Sequence, residues 1–328
     1  MPFDQLKRRE FITLLGIATA WPIAARAQEP GRTYRLGALT FSPRDAPHYA
    51  VLLDELRRGG FIEGQNLTVD WRGYGLRAEQ FPAAAAELVK AKADVLFCTG
   101  DAAVRAAQQA TTTVPILAVT DDMVGSGLVR SLAQPGGNTT GVSIFATELD
   151  GKRQDILIEA VPGLRRLAAL ADVNETNPQH LHALQDAARA RGVELSIHQV
   201  AKSEEVVPAI NLAKASDAAG LNVLATSLLF SQSQVIIEQA AALHLPAVYP
   251  WRENAEEGGL LAYGPNLMQM FRTLGGQQLI KLFRGARAAD LPVEQPTHFE
   301  LIVNLKTARA IGHEVPAGLV LRADRVIE

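Results

Sequence analysis

The hydrophobic pattern from Tyr34 onward alternates short apolar runs with longer segments of helical period. This alternation is typical of successive βα units that build a parallel sheet. The predicted strands of the first half are 35–39, 66–71, 94–98, 115–119 and 140–144, and the predicted helices are 50–58, 78–90 and 101–109. The pattern therefore predicts one doubly wound lobe in this half of the chain.

The second half repeats the pattern. The predicted strands are 166–171, 194–199, 220–225 and 246–249, and the predicted helices lie near 178–191, 204–214 and 231–243. After Pro250 we expect a strand at 260–263, a long helix over 267–284, and a strand at 297–303 before a short C-terminal helix. Because these last elements are too few for a third domain, we expect the chain to return to the first lobe.

The predicted fold is α/β, with two doubly wound parallel-sheet lobes, a hinge of three crossings and an interlobe cleft. The predicted first lobe comprises 28–145 plus about 251–299. The predicted second lobe comprises about 146–250 plus 300–328.

Residues 1–27 have the three regions of a signal peptide in order. A cationic run at 7–9 precedes an apolar run at 14–24, and 25–27 are the small residues around a cleavage site after Ala27. The paired arginines resemble a twin-arginine motif, and the general secretory route stays open. Pro22 interrupts a run already shorter than the roughly 20 residues of a membrane span. We therefore predict a soluble periplasmic protein.

The amino-acid composition argues against some classes of binding partner. The net charge is -3, and no stretch after the signal segment is rich in Lys or Arg. Nucleic acid and anionic membranes are therefore poor candidate partners, and we expect a monomer that binds a small molecule. The single Cys98 cannot form an intramolecular disulfide, and its apolar surroundings predict a buried strand residue.

Catalytic and cofactor motifs are missing from the sequence. It has no Gly-x-Ser-x-Gly, no Walker-type loop, no His-Glu-x-x-His and no Cys/His array. Gly125-Ser126-Gly127 is followed by Arg130 in place of a third glycine, which argues against a dinucleotide site. His180 and His182 lie on opposite sides of a predicted helix, so we predict two surface residues. The sequence predicts no cofactor, no metal and no enzyme.

Polar residues follow the predicted strands, at the edge where open α/β sheets bind ligands. The candidate ligand-binding residues are Thr40, Phe41, Ser42, Thr99, Gly100, Asp101, Thr120, Asp121, Asp122, Asn174, Thr226, Ser227 and Trp251. Thr99, Gly100 and Thr120 would bind a carboxylate, and Asp121 or Asp122 an ammonium group. Phe41 and Trp251 would form aromatic walls. An amino acid would suit this site, including an aromatic one.

Each of these residues also has a structural explanation. Thr99 and Asp101 are good helix caps, Asp121 and Asp122 would suit a solvated turn, and Trp251 could pack at the hinge. Only the convergence of these residues on one cleft favours a binding site.

Several longer motifs are similar to those of ABC-transporter substrate-binding proteins often labelled tryptophan/tyrosine-binding. These motifs are 8–12, 93–100, 125–129, 132–141, 151–153, 258–265, 291–297 and 304–308. The resemblance implies a type I periplasmic-binding-protein fold, capture of a small molecule between closing lobes, and delivery to an inner-membrane permease with its ATPase.

One loop departs from the family pattern. This chain has Asp122-Met123-Val124 where such proteins commonly have Asp-Pro-Val, so Met123 either lines the pocket or fills a gap beneath it. Two alternative functions stay open, a ligand-sensing module for a membrane receptor and a secreted enzyme on a similar fold.

Overall fold

The first sheet has five parallel strands in the order β2-β1-β3-β4-β5. The computed structural model describes residues 31–144 and 146–328, so the predicted signal peptide lies outside the described residues. The strands are β1 (Tyr34–Leu39), β2 (Leu67–Asp70), β3 (Val95–Thr99), β4 (Ile116–Thr120) and β5 (Thr139–Ser143), and the helices are α1 (Pro47–Arg58), α2 (Phe81–Lys90) and α3 (Asp101–Ala110). Every strand ends within one residue of its predicted range. Cys98 is buried in β3, as predicted.

The second sheet has seven strands in the order β12-β11-β10-β9-β8-β6-β7. Its strands are β6 (Arg166–Asp172), β7 (Glu194–Val200), β8 (Leu221–Val223), β9 (Ala247–Tyr249), β10 (Leu261–Pro265), β11 (Phe299–Asn304) and β12 (Arg325–Ile327). Its helices are α4 (Ala146–Ala160), α5 (Pro178–Ala190), α6 (Val206–Ala215), α7 (Ser227–Ser231), α8 (Ser233–Ala242), α9 (Arg252–Glu256), α12 (Leu305–Ala310) and α13 (Ala317–Arg322). Strand β12 was not predicted, because none of its residues is buried and it lacks the apolar run that marks β8 and β9.

The position of β10 corrects the predicted lobe division. Leu261 pairs with Val248 of β9 and with Val303 of β11, so the chain stays in the second sheet until Pro265. The pairing of β10 with β11 is antiparallel, which makes this sheet mixed rather than purely parallel. Hydrophobic periodicity identifies a strand but not its partner, so the sequence placed this segment in the first lobe.

The chain crosses between the sheets three times. The first crossing follows β5, and the second is at Asn266, where a continuous helical run of α10 (Leu267–Thr273), a π-helical turn and α11 (Ile280–Phe283) begins. The third crossing follows Glu294, whose carbonyl accepts a hydrogen bond from the Ser143 amide at 3.0 Å. The helical run matches the predicted long helix.

Helix α10 packs against α1 over the first sheet. Phe271 of α10 lies 5.9 Å, centroid to centroid, from Phe97 of β3 and 5.8 Å from Tyr49 of α1. These edge-to-face contacts bury large rings and hold the two helices at the cleft side of the sheet. A segment that begins at a hinge crossing is thus packed into the first lobe.

A buried ion pair ties the start of the second lobe together. Arg153 and Asp150 of α4 are both fully buried and form an ion pair. Arg153 also donates to the Tyr263 carbonyl of β10 at 2.9 Å, and Asp150 accepts from the Ala225 amide at 3.3 Å. The pair therefore links helix α4 to two separate segments of the second sheet.

The prediction for His180 was wrong, whereas His182 is exposed as expected. His180 is only 7% exposed, because it shares the buried face of α5 with Leu184 and Ala188 at helical spacing. Its Nε2 lies 3.2 Å from Asp150 Oδ2. In the part of the chain that the structure describes, no helix combines the length and apolar character needed to cross a membrane.

The ion pair generates a stability prediction. Replacing Arg153 by Met leaves the Asp150 carboxylate buried without its guanidinium, and we expect the free energy of unfolding to fall by about 3–5 kcal/mol. Urea denaturation followed by circular dichroism measures this change. Lys152→Met is the matched control, since Lys152 is adjacent and exposed, and should change stability by less than about 0.5 kcal/mol. Equal effects of the two substitutions would contradict the structural role of the buried pair.

Candidate ligand-binding cavity

A cavity lies where the strand ends of the first sheet face the second lobe, and its empty space, together with the open solvent at its mouth, is about 500 Å³. The lining residues are Ser42, His48, Thr99, Val119, Thr120, Asp121, Ile144, Ala225, Thr226, Ser227, Phe230, Trp251, Leu267, Met270 and Phe271. Both lobes contribute, as expected for a cleft between them.

The polar lining comes from the carboxyl ends of strands and the segments that follow. Thr99 ends β3, and Thr120 ends β4 with Asp121 directly after it. From the second lobe, Thr226 caps α7 by accepting a hydrogen bond from the Leu229 amide at 3.3 Å. Carboxyl ends of parallel strands meet at one edge, which explains why residues distant in sequence converge here.

Aromatic and aliphatic side chains form the rest of the lining. Phe230 and Trp251 belong to the second lobe and contact each other edge to face, with centroids 6.0 Å apart. Met270 and Phe271 of α10 and His48 of α1 come from the first lobe. The cavity thus combines polar groups with an aromatic surface.

Two predicted donors are already engaged within the protein. The Thr99 hydroxyl donates to Thr40 Oγ1 at 2.8 Å, and the Gly100 amide donates to the Val119 carbonyl at 2.9 Å. Thr99 therefore presents lone pairs to the cavity in this conformation. In contrast, the Thr120 hydroxyl is buried without a hydrogen-bond partner among the described residues, so its hydrogen is available.

Carboxylates from the two lobes approach each other beside the cavity. Burial is the main cause that raises the pKa of Asp121 well above its usual range, and the neighbouring carboxylates of Glu175 and Asp101 add to the rise. Burial followed by repulsion from Asp172 raises the pKa of Glu175 to about 8. No Lys or Arg is among the cavity-lining residues that the structure describes, and Arg153 opposes the rise in the pKa of Asp121 only in part.

Gly100 and Glu175 are in close contact across the two lobes. Glu175 Oε2 accepts a hydrogen bond from the Ser227 amide at 2.7 Å, and its Oε1 lies against Gly100. A Cβ atom on Gly100 would be only 2.0 Å from Oε1 and 2.6 Å from Ser227 Oγ. A residue without a side chain suits this approach, and the two lobes are in contact here.

Seven of the predicted site residues line the cavity. These are Ser42, Thr99, Thr120, Asp121, Thr226, Ser227 and Trp251. Thr40 lies beneath the lining, where it bonds to Thr99 and, at 2.6 Å, to the Tyr49 hydroxyl. Gly100 and Asp101 form the start of α3, where neither Thr99 nor Asp101 makes a side-chain cap.

Phe41, Asp122 and Asn174 lie outside the cavity lining. Phe41 packs edge to face on Phe81, with ring centroids 5.0 Å apart. Both rings belong to the hydrophobic cluster of the first lobe that also contains Met123. Asp122 Oδ1 accepts from the Gly125 amide at 2.9 Å in a turn, and Asn174 donates to Asp172. Met123 is fully buried in the core of the first lobe, so it fills space rather than lining the cavity.

Sequence reasoning missed most of the apolar lining and Glu175. The missed lining residues are His48, Val119, Ile144, Ala225, Phe230, Leu267, Met270 and Phe271. Amphipathic spacing predicted that such residues are buried but could not distinguish a core from a cavity wall. Glu175 follows the predicted Asn174 by one position, and nothing local signals its approach to Gly100.

The raised pKa of Glu175 predicts a pH dependence of stability. An unfolded chain ionises this carboxyl above its ordinary value of 4.5, whereas the folded protein keeps the proton until about pH 8. The contribution of Glu175 to stability is therefore present below about pH 4.5 and is lost as the pH rises through 8. We expect the unfolding free energy of the wild type, relative to Glu175→Gln, to fall by about 1 kcal/mol per pH unit in this window.

Urea denaturation at pH 5.5, 6.5 and 7.5 measures this difference. Glu204→Gln is the matched control, because Glu204 is an exposed residue of the same lobe. A pH profile that is identical for the wild type and both variants would contradict the raised pKa of Glu175.

Comparisons with known proteins show which proteins the chain resembles in sequence and fold. The chain is 26% identical over 274 residues to the tyrosine-binding protein of Clostridioides difficile, which covers 79% of this chain and 77% of that protein. A conserved domain protein from Vibrio cholerae has a TM-score of 0.79 at 23% identity, covering 90% of this chain and 99% of that one.

A Streptococcus pneumoniae ABC domain solved in complex with L-Trp has a TM-score of 0.75 at 20% identity, covering 89% of this chain and 100% of that one. The two structural likenesses show a shared periplasmic-binding-protein-like fold. The family model described as "ABC transporter substrate binding protein" matches residues 46–327, most of the chain. The chain therefore belongs to the family of ABC transporter substrate-binding proteins.

Proposed function

We propose that this protein is the periplasmic receptor of an ABC importer and that it captures an amino acid with an aromatic side chain between its lobes. The observation that carries the proposal is the cavity itself, in which Asp121 and hydroxyl groups accompany a lining of Phe230, Trp251 and Phe271. A zwitterionic head group suits the polar lining, and an aromatic ring suits the remainder. No chemistry on the ligand is proposed.

The ammonium group of the ligand is assigned to Asp121. Its carboxylate faces the cavity, and the engaged Thr99 hydroxyl adds a lone pair beside the same strand ends. A ligand ammonium would let Asp121 ionise despite burial, because charge pairing offsets the desolvation that raises its pKa.

The ligand carboxylate is assigned to hydroxyl donors. Thr120 has a buried hydroxyl without a partner among the described residues, and the Thr226 oxygen accepts from Leu229 while its hydrogen stays available. These two residues belong to different lobes. A carboxylate held by both would stabilise the closed arrangement relative to the open one.

The comparisons support the ligand class and the transport role. One relative is named for tyrosine and a solved structure of the same fold holds L-Trp. The family supports the proposed delivery to a permease with its ATPase, and the signal-peptide pattern of residues 1–27 supports the proposed export. In the bonds that the structure gives for hydroxyl groups at the cavity, the partner is another hydroxyl or a backbone amide and not His48. These bonds therefore do not pair a nucleophile with a base, as an enzyme would require.

The role of Asp121 is tested by substitution. Asp121→Asn removes the charge that pairs with an ammonium group, and we expect affinity for L-tryptophan or L-tyrosine to fall about 10- to 100-fold. Isothermal titration calorimetry of the mature protein measures the affinity. Asp122→Asn is the matched control, since Asp122 is adjacent and outside the cavity lining. If neither amino acid binds the wild type, the proposed ligand class is wrong.

Lobe closure is tested at Gly100. Gly100→Ala adds a Cβ within 2.0 Å of Glu175 Oε1 at a backbone φ of 83°, so Glu175 must shift, and we expect ligand affinity to fall and the ligand-induced decrease in radius of gyration to become smaller. Gly75→Ala is the matched control, because Gly75 also has a positive φ, of 65°, but has nothing within 4 Å of its added Cβ. Small-angle scattering with and without ligand measures closure. Normal closure in Gly100→Ala would contradict the contact as part of the binding cycle.

A further inference from the structure

His48 is a polar residue in an aromatic part of the cavity. Its side chain lines the cavity although the residue is only 3% exposed. The imidazole centroid lies 4.2 Å from that of Tyr49, 4.5 Å from that of Phe271 and 5.6 Å from that of Phe230. Three aromatic rings from both lobes therefore fix the position of this imidazole.

The imidazole is neutral, because burial lowers the pKa of His48 to about 4. A neutral imidazole has one nitrogen that donates a hydrogen bond and one that accepts. The contacts that the structure gives for His48 are ring contacts, and no hydrogen bond to either nitrogen is formed by the described residues. The structure gives the Tyr49 hydroxyl a bond to Thr40 and none to His48.

Neither nitrogen of His48 is among the fully buried side-chain atoms without a hydrogen-bond partner, so the cavity gives the imidazole access to water or to a ligand. A ligand group that displaces such a water loses affinity unless it replaces the hydrogen bond, so the imidazole needs a polar partner in the bound state. Because His48 lines the cavity, a bound molecule is in position to supply that partner.

The surroundings indicate which part of the ligand His48 meets. The ring neighbours of His48 are aromatic, whereas the charged neighbours of Asp121 are other carboxylates and Arg153. The two residues therefore mark different parts of the cavity, an aromatic part and a charged part. A ligand whose amino group lies at Asp121 presents its side chain to the aromatic part.

We propose that His48 is a specificity-determining residue that hydrogen bonds to a polar atom on the aromatic ring of the ligand. The cavity then selects amino acids with a ring hydroxyl or ring N–H over those with a plain hydrocarbon ring. This inference rests on the proposed function, since it deepens the ligand class assigned there. A site that hydrogen bonds to a ligand group discriminates strongly against an analogue without that group, because the protein group is then left unpaired.

The test compares L-tyrosine, L-tryptophan and L-phenylalanine by calorimetry. The wild type should bind the better of the first two at least tenfold more tightly than L-phenylalanine. His48→Phe keeps the ring packing but removes both nitrogens. Its affinities for L-phenylalanine and for the amino acid that the wild type binds best should differ by less than about threefold. His48→Gln restores a donor and an acceptor and should recover part of the preference. His182→Phe, on the exposed part of α5, is the control for the residue change.

The outcomes separate the two proposals. Binding of L-phenylalanine as tightly as the other two, or an unchanged preference in His48→Phe, would overturn the role of His48 and leave the receptor function intact. Failure of all three amino acids to bind would overturn the proposed ligand class and the role of His48 together. A loss of preference in His48→Phe with unchanged L-phenylalanine affinity would support both.

Discussion

Parallel pairing of strands within each lobe is the constraint on which the binding cavity depends. β1, β3 and β4 are parallel in the first sheet, and β6, β8 and β9 are parallel in the second. All strands of a parallel set end at the same edge, so the loops that follow them must converge. When two such edges face each other, polar residues far apart in sequence surround one cavity.

Electrostatics and close packing act together at this edge. Gly100 lets Glu175 of the other lobe come within contact distance, and that approach brings Glu175 near the carboxylates of Asp101 and Asp121. Burial and like charge both disfavour ionisation of these carboxyl groups, and a cationic ligand group beside them would offset that effect.

The hinge and the aromatic lining share one helix. α10 begins directly after the crossing at Asn266 and contributes Leu267, Met270 and Phe271 to the cavity. Its packing against α1 also places His48 beside Phe271. A movement at this crossing therefore changes the aromatic wall, which gives a physical connection between ligand contact and lobe position.

The sequence by itself determined the elements and the polar half of the site. Apolar periodicity is a local property, and it located the strands of the first sheet within one residue and predicted that Thr99, Thr120 and Asp121 follow strand ends. Tertiary structure decided which segments and side chains contact each other. Three contacts join residues that are distant in sequence: β10 pairs with β9 and β11, His180 is buried against Asp150, and Glu175 approaches Gly100. Periodicity predicts that a side chain is buried, but only packing decides whether it faces a core, as Met123 does, or a cavity, as His48 and Phe271 do.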